Sequence, residues 1–174
     1  MSIEQLKIAL PDFSKDIRLN LDSVLTEEGS DLSQKQIYSI ALSTAYATKN
    51  STVIDVIETL AMEVLTPEEM SGVKAAAVIM AMNNIYYRFI HLVNDKEYTS
   101  MPAKLRMNVI AKPGIDKIIF ELCCLAVSTI NGCGLCMESH AQALVRSGVS
   151  KLAIQSAVRI AAVINAAAIG IELG

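Results

Sequence analysis

Residues 121–140 read ELCCLAVSTINGCGLCMESH, and this stretch predicts two helices joined by a tight turn. The largely apolar first part is typical of a helix, and Asn131-Gly132 ends it because both residues tolerate a left-handed backbone. A second helix is predicted from about Cys133 to Ser147, where Gly148 stops it. The turn therefore places the first cysteine of a C-x-x-C pair at the start of a helix.

Helix signals continue on both sides of this hairpin. Capping boxes are predicted at Ser2-x-x-Gln5 and Ser33-x-x-Gln36, and Thr66-Pro67-Glu68-Glu69 is a typical helix start. The other predicted helices run from Asn50 to about Leu65, from Thr66 to about His91, from about Asp116 to Ile130 and from Ser150 to about Ile171. The last is apolar nearly all round, which predicts a central buried helix. Residues 94–114, from Asn94 to Gly114, are predicted to be a connector with one short helix.

Composition and periodicity predict one all-α domain over residues 1–174. Glycine and proline are scarce, at 8 and 4 residues of 174, and no segment alternates with the period of a strand. The tetrapeptide Ala-Ala-Val-Ile occurs at 76–79 and again at 161–164, in a similar order of helices. We therefore expect a helical bundle with an internally duplicated unit, its halves at roughly 35–90 and 118–172.

Charge and hydropathy exclude several classes of protein. The net charge is −3 and no basic run occurs, which argues against nucleic acid as a partner. The most apolar stretch, Ile160 to Ile171, is shorter than the ~20 residues a membrane span needs, and the first residues do not resemble a signal peptide. We therefore expect a cytoplasmic protein without membrane contact, where a close cysteine pair is catalytic or metal-binding more often than structural.

The residues of the hairpin supply the parts of a thiol site. Free backbone N–H groups at the helix start favour a thiolate at Cys133, and Cys136 lies one turn further on the same face. His140 follows four residues later on that face, within reach of the Cys136 proton. If the hairpin is antiparallel, Glu121 lies at a similar height to His140. The spacing predicts a Glu121–His140–Cys136 relay, in which a carboxylate orients an imidazole and the imidazole activates a thiol.

Other interpretations of these residues stay open at this point. Cys133, Cys136 and His140 could hold zinc with Glu121 as a fourth ligand, whereas the haem-attachment pattern is absent because Met137 follows the second cysteine. The two remaining cysteines and the second histidine are expected to have no catalytic role: Cys123 and Cys124 as small core residues, and His91 near a helix C-terminus.

The chain resembles the alkylhydroperoxidase D (AhpD) family of the carboxymuconolactone decarboxylase-like superfamily. The specific part of the resemblance is the pattern Glu–x₁₁–Cys-x-x-Cys–x₃–His, and the likeness extends over essentially the whole chain. It includes Met1 to Lys7, Ala9-Leu10-Pro11, Lys15-Asp16-Ile17, Leu105-Arg106-Met107-Asn108, Lys112-Pro113-Gly114-Ile115, Phe120-Glu121-Leu122 and Ile130-Asn131-Gly132-Cys133.

This resemblance implies an all-helical, internally duplicated homotrimer that reduces organic hydroperoxides with thiols and has no metal, haem or flavin. It implies that Cys136 attacks the peroxide, that Cys133 resolves it to a disulfide, and that Glu121 and His140 relay protons. Dihydrolipoyl groups on a lipoyl-bearing acyltransferase would supply electrons, and the peroxiredoxin AhpC would exchange them with the cysteine pair. Well-known members carry a second histidine before the second cysteine, and here Leu135 stands in that place.

Three competing functions follow from the same residues. A redox adaptor would pass electrons from lipoyl domains to AhpC with little direct peroxidase activity. A lactone decarboxylase on the same scaffold would need acid–base groups and no dithiol, so both cysteines argue against it. A zinc-structured binding module would use the thiols as ligands.

Overall fold

The computed structural model describes residues 2–93 and 95–174; Met1 and Asn94, the latter the first residue of the predicted connector, lie outside them. The described residues form helices and contain no strand, which confirms the all-α prediction. The α-helices are α1 (Ile3–Ala9), α2 (Lys15–Val24), α3 (Gln34–Thr48), α4 (Ser51–Ala61), α5 (Pro67–Val93), α6 (Lys96–Ser100), α7 (Asn108–Ala111), α8 (Lys117–Ile130), α9 (Gly134–Arg146) and α10 (Lys151–Leu173). A short 3₁₀ helix, Asp12–Ser14, precedes α2.

The predicted caps start the helices in which they were expected. At α3 the Ser33 N–H donates to the Gln36 side chain at 2.9 Å, and the Gln36 N–H donates back to the Ser33 hydroxyl. Asn50 accepts the Val53 N–H at 2.9 Å to cap α4. The predicted end of α4 at Leu65 is wrong by one turn, because the helix stops at Ala61. A turn follows the helix, in which the N–H groups of Val64 and Leu65 both donate to the Ala61 carbonyl.

The connector holds two short helices rather than one. The Asp95 carboxylate caps α6 by accepting the Glu97 N–H at 2.9 Å, and α7 follows separately. Pro102 lies between the two and Pro113 follows α7, so neither helix can extend far. The prediction of a connector is therefore right in extent and incomplete in detail.

The core lies where α3 and α8 pack on each other, with α5 and α10 against α8 and α10 also against α3. Apart from Lys117, Ile118 and Glu121, α8 is buried up to Ser128. The prediction that α10 is a central buried helix is only half right, because one face packs on α2, α3 and α8 while Ala162 and Ile169 are exposed. By length and composition α10 is the one described helix that could cross a membrane, but its packing is that of a core helix.

The internal duplication stays a prediction, and burial along α5 and α10 bears on it. The two helices bury matching positions when residue n is paired with residue n + 84. The pairs include Val73/Ala157, Ala76/Ile160, Ala77/Ala161, Met80/Ile164, Asn83/Ala167 and Asn84/Ala168. The repeated tetrapeptide pairs Ala76 with Ala161, which is one residue out of this register. The shared burial pattern is therefore a better argument for a repeat than the shared letters.

Gly72 allows α5 to approach the connector. A Cβ atom at this position would lie 2.7 Å from Cγ2 and 2.8 Å from Cβ of Ile115, and 3.0 Å from the carbonyl oxygen of Pro113. We expect Gly72→Ala to lower the free energy of unfolding by about 1–3 kcal/mol, because overpacking outweighs the better helix propensity of alanine. Urea unfolding measures this change.

The exposed neighbour on the same helix provides the control for this substitution. Ser71 is exposed, so Ser71→Ala is expected to change the unfolding free energy by less than about 0.5 kcal/mol. An unfolding midpoint for Gly72→Ala at or above that of the native protein would contradict the packing argument.

Candidate active site

The turn between α8 and α9 builds the cysteine site. The Asn131 N–H bonds the Val127 carbonyl at 3.0 Å, and Gly132 has a left-handed φ of +67°, which favours glycine. Cys133 is the N-cap of α9, and its sulfur accepts the Cys136 N–H at 3.4 Å. The two cysteines are joined by a disulfide bond, with Cα atoms 5.3 Å apart. Both sulfur atoms therefore lie at the positive end of a helix.

Side chains of α5 hold this turn in place. The Asn84 amide donates to the Ser128 hydroxyl at 2.8 Å, and the Asn131 amide donates to the Asn84 carbonyl oxygen at 3.0 Å. The Arg88 guanidinium also donates to the Asn131 carbonyl, at 2.6 Å. Sequence analysis missed this network. The available signal was Asn83-Asn84, two adjacent amides in the otherwise apolar stretch 75–85, which need partners when buried.

Glu121 and His140 meet across the hairpin, as its antiparallel geometry requires. Glu121 Oε2 lies 2.7 Å from His140 Nδ1, and their side chains are only 14% and 13% exposed. A carboxylate only accepts hydrogen bonds, so in this pair Nδ1 carries the hydrogen and Nε2 is left for another partner. The fixed ring orientation is what a proton carrier needs.

One cavity brings these groups together. It has a volume of about 390 Å³ and is lined by Met80, Asn83, Tyr87, Met107, Ile110, Glu121, Leu135, Cys136, Ser139, His140 and Ala143. Three of the four predicted site residues therefore face one space, and the fourth, Cys133, is fully buried behind Cys136. The wall is mostly apolar, and Leu135 forms part of it. The arrangement suits a substrate with an apolar body and one small reactive polar group.

The geometry also bears on the possible zinc site and on the second histidine, His91. Among the described residues, no group of three or more His, Cys, Asp and Glu side chains is placed to hold a metal ion, so the zinc interpretation gains no support from this geometry. His91 lies in the last turn of α5, and its Cε1 atom would be 3.5 Å from a Cβ atom at Gly134. It does not line the cavity, and its predicted lack of a catalytic role stays a prediction.

Cys123 and Cys124 are buried in α8. Burial raises the pKa of the Cys123 thiol to about 12, against a smaller opposing effect of a hydrogen bond with Ser43. Burial also raises the pKa of the Cys124 thiol well above its usual range, and the neighbouring Cys123 and Glu121 raise it further. Since the thiolate is the reactive form, both side chains are poor nucleophiles.

We expect iodoacetamide to label one of the four cysteines of the reduced native protein much faster than the others. Cys136 lines the cavity, whereas the fully buried Cys133, Cys123 and Cys124 are labelled only after unfolding. Peptide-mapped mass spectrometry at pH 8, with and without denaturant, measures this. Labelling of Cys124 in native protein as fast as Cys136 would contradict the prediction.

A model of the Carboxymuconolactone decarboxylase family matches residues 96–169. That segment contains both cysteines of the disulfide and the Glu121–His140 pair. It also contains eight of the eleven residues that line the cavity, and α5 supplies the other three, Met80, Asn83 and Tyr87.

Proteins that are similar over nearly the whole chain indicate the family to which it belongs. A protein of Rhodopseudomonas palustris (strain BisA53) named "Alkyl hydroperoxide reductase AhpD" is 53% identical over 174 residues, covering 100% of this chain and 95% of the relative. Proteins of the same name from Coxiella burnetii (strain Dugway 5J108-111) and Bradyrhizobium sp. (strain BTAi1 / ATCC BAA-1182) are 55% and 52% identical, over 94% and 99% of this chain and 93% and 94% of each relative. The chain belongs to the alkyl hydroperoxide reductase AhpD family, which confirms the resemblance found in its sequence.

Proposed function

We propose that this chain reduces organic hydroperoxides through a dithiol–disulfide cycle of Cys133 and Cys136. Membership of the AhpD family makes it an alkyl hydroperoxide reductase with an antioxidant role. The proposed cysteine cycle rests on the position of Cys136, which lines the same cavity as the Glu121–His140 pair and is bonded to the buried Cys133. These are the parts that a peroxide-attacking thiol, its proton carrier and its resolving thiol require.

The cycle starts from the two reduced thiols. Glu121 holds His140 through Nδ1, and Nε2 takes the proton of Cys136. The Cys136 thiolate attacks the terminal oxygen of ROOH, so that an S–O bond forms, the O–O bond breaks and RO⁻ leaves. His140 returns the proton to give ROH. The thiol of Cys133 then attacks the sulfenic acid, and the disulfide forms with loss of water.

A dithiol must reset the pair through a mixed disulfide, and no bound cofactor is needed. We propose dihydrolipoyl groups of a lipoyl-bearing acyltransferase as the donor and the peroxiredoxin AhpC as the redox partner. The adaptor function, in which electrons pass to AhpC with little direct peroxide reduction, remains the alternative. Leu135 favours it, because this residue adds no proton carrier to the cavity. Peroxide turnover with and without AhpC separates the two.

We also propose that the protein is a cytoplasmic homotrimer. Apolar side chains at helical spacing are exposed on α5, namely Val78, Ile85, Phe89 and Leu92. A stripe of this kind is typical of a surface that another subunit covers. Sedimentation equilibrium tests the proposal, because it distinguishes three chain masses from one.

Peptide mapping of the oxidised protein tests the proposed cycle. Reduced, metal-free protein is treated with one equivalent of cumene hydroperoxide, and disulfides are located by mass spectrometry before and after dihydrolipoamide is added. We expect a Cys133–Cys136 disulfide that dihydrolipoamide reverses. If Cys133 and Cys136 stay reduced after treatment with the hydroperoxide, whether or not the hydroperoxide is consumed, the cycle is contradicted.

A further inference from the structure

Asn83 is a polar residue of the cavity to which no step of the cycle assigns a role. Asn83 lies on α5, is only 4% exposed, and lines the same cavity as Cys136 and His140. Its side-chain oxygen Oδ1 is buried and has no hydrogen-bond partner among the described residues. A buried carbonyl oxygen without a partner is uncommon, because its lost hydration is not replaced.

The next residue shows what a purely structural asparagine looks like in this helix. Asn84 is fully buried, and both ends of its amide are bonded, to Ser128 and Asn131. Two other buried side-chain atoms of the described residues lack partners, Nε of Arg18 and Oγ1 of Thr44, and neither residue lines this cavity. Asn83 therefore combines an unpaired acceptor with a place in the lining of the cavity that Cys136 also lines.

We propose that Asn83 binds the hydroperoxide group itself, with Oδ1 accepting the hydrogen of the terminal O–H. This inference rests on the proposed function. In ROOH the terminal oxygen carries the only hydrogen that can be donated, and it is also the oxygen that Cys136 attacks. One hydrogen bond to Asn83 therefore selects the correct oxygen and holds it in the cavity, while the apolar wall holds the organic body.

The same hydrogen bond persists through the reaction. When the S–O bond forms and the O–O bond breaks, the terminal oxygen passes to Cys136 with its hydrogen, giving Cys–S–O–H, and RO⁻ takes its proton from His140. Oδ1 of Asn83 then accepts the hydrogen of the sulfenic acid. That bond lasts until Cys133 attacks the sulfur and the oxygen leaves as water.

Two substitutions and two reagents test the inference. Both substitutions remove the amide, but Asn83→Leu keeps a side chain of similar volume whereas Asn83→Ala enlarges the cavity. An effect on the oxidation rate that both variants share therefore comes from the lost amide and not from a change in volume. The rate at which cumene hydroperoxide oxidises Cys136 in the reduced protein is measured by quenched flow and mass spectrometry. Alkylation of the same thiol by iodoacetamide reports thiolate formation and access without any hydroperoxide.

We expect both variants to react with the hydroperoxide roughly tenfold to hundredfold more slowly, because one aligned hydrogen bond is lost. Alkylation should stay within about twofold of the native rate. Asn83→Leu should also unfold at the same or a higher urea concentration than the native protein, since it removes an unpaired buried acceptor. A residue kept only for packing would show the reverse, with lower stability and an unchanged oxidation rate.

The outcomes separate this inference from the proposed function. If native protein is oxidised at Cys136 and both variants are oxidised equally fast, the inference is overturned and the cycle stands. If alkylation falls as much as oxidation, Asn83 acts on the thiol rather than on the hydroperoxide, and the inference is again overturned. If the hydroperoxide does not oxidise the native pair, the proposed function fails and the inference fails with it.

Discussion

The Cys136→Ser variant is expected to reduce no hydroperoxide above the uncatalysed background. Cys136 contributes the sulfur that faces the cavity, and a serine hydroxyl stays protonated near neutral pH and is a far weaker nucleophile. Cys133 cannot take over because it is fully buried. Consumption of cumene hydroperoxide with dihydrolipoamide as reductant measures the loss.

The Cys133→Ser variant is the matched control, since it removes the partner sulfur and leaves the attacking one. Without dihydrolipoamide we expect it to react with one equivalent of hydroperoxide and then stop, because the sulfenic acid on Cys136 then has no thiol with which to condense. Trapping by dimedone, followed by peptide mapping, locates that sulfenic acid. Native turnover by Cys136→Ser, or a trapped sulfenic acid on Cys133 in the native protein, would reverse the roles assigned to the two cysteines.

The second large effect is expected at the proton carrier. His140→Gln should lower the oxidation rate of Cys136 at pH 7 by roughly 10²- to 10⁴-fold, which is the usual contribution of a positioned general acid–base group. Glu121→Gln should lower the oxidation rate of Cys136 by a smaller factor, because a neutral amide can still accept the hydrogen bond from Nδ1 that orients the ring of His140. Stopped-flow oxidation of the reduced protein measures both variants.

The pH dependence separates proton transfer from a loss of structure. Without His140, the Cys136 thiolate forms only by direct ionisation, so the thiolate fraction increases as the pH rises. The deficit of His140→Gln should therefore shrink between pH 7 and pH 9. Glu138→Gln, an exposed carboxylate on the same helix, should behave as the native protein. A deficit that is constant over this range would contradict the role of His140 as proton carrier.

Local chemistry made the hairpin predictable from the sequence. Helix caps, the Asn131-Gly132 turn and the spacing of Glu121 from His140 depend on residues close in the chain, and the structure has all of them. The fold was also predictable, because no segment alternates with the period of a strand and glycine and proline are scarce. The catalytic roles of the four residues remain predictions, since geometry alone does not test them.

The parts that escaped prediction depend on pairing across the chain. Asn84 meets Ser128 and Asn131 over separations of 44 and 47 residues, and no local pattern reports such a partner. Likewise, sequence cannot tell which sulfur faces the cavity, because that depends on how α5 and the connector pack over α9. The early end of α4 was not predictable from Pro67, because proline restricts only Thr66 and the predicted end at Leu65 already respects that restriction.

The burial of Cys133 behind Cys136 has a kinetic consequence. Only one sulfur is within reach of a molecule entering from the cavity, so the oxidising and the reducing substrate must use the same mouth in turn. Initial rates measured against both substrates should therefore give parallel double-reciprocal lines. A large excess of the dithiol should slow the enzyme by competing with the hydroperoxide for entry. The product of one half-reaction must therefore leave the cavity before the substrate of the other half-reaction can bind.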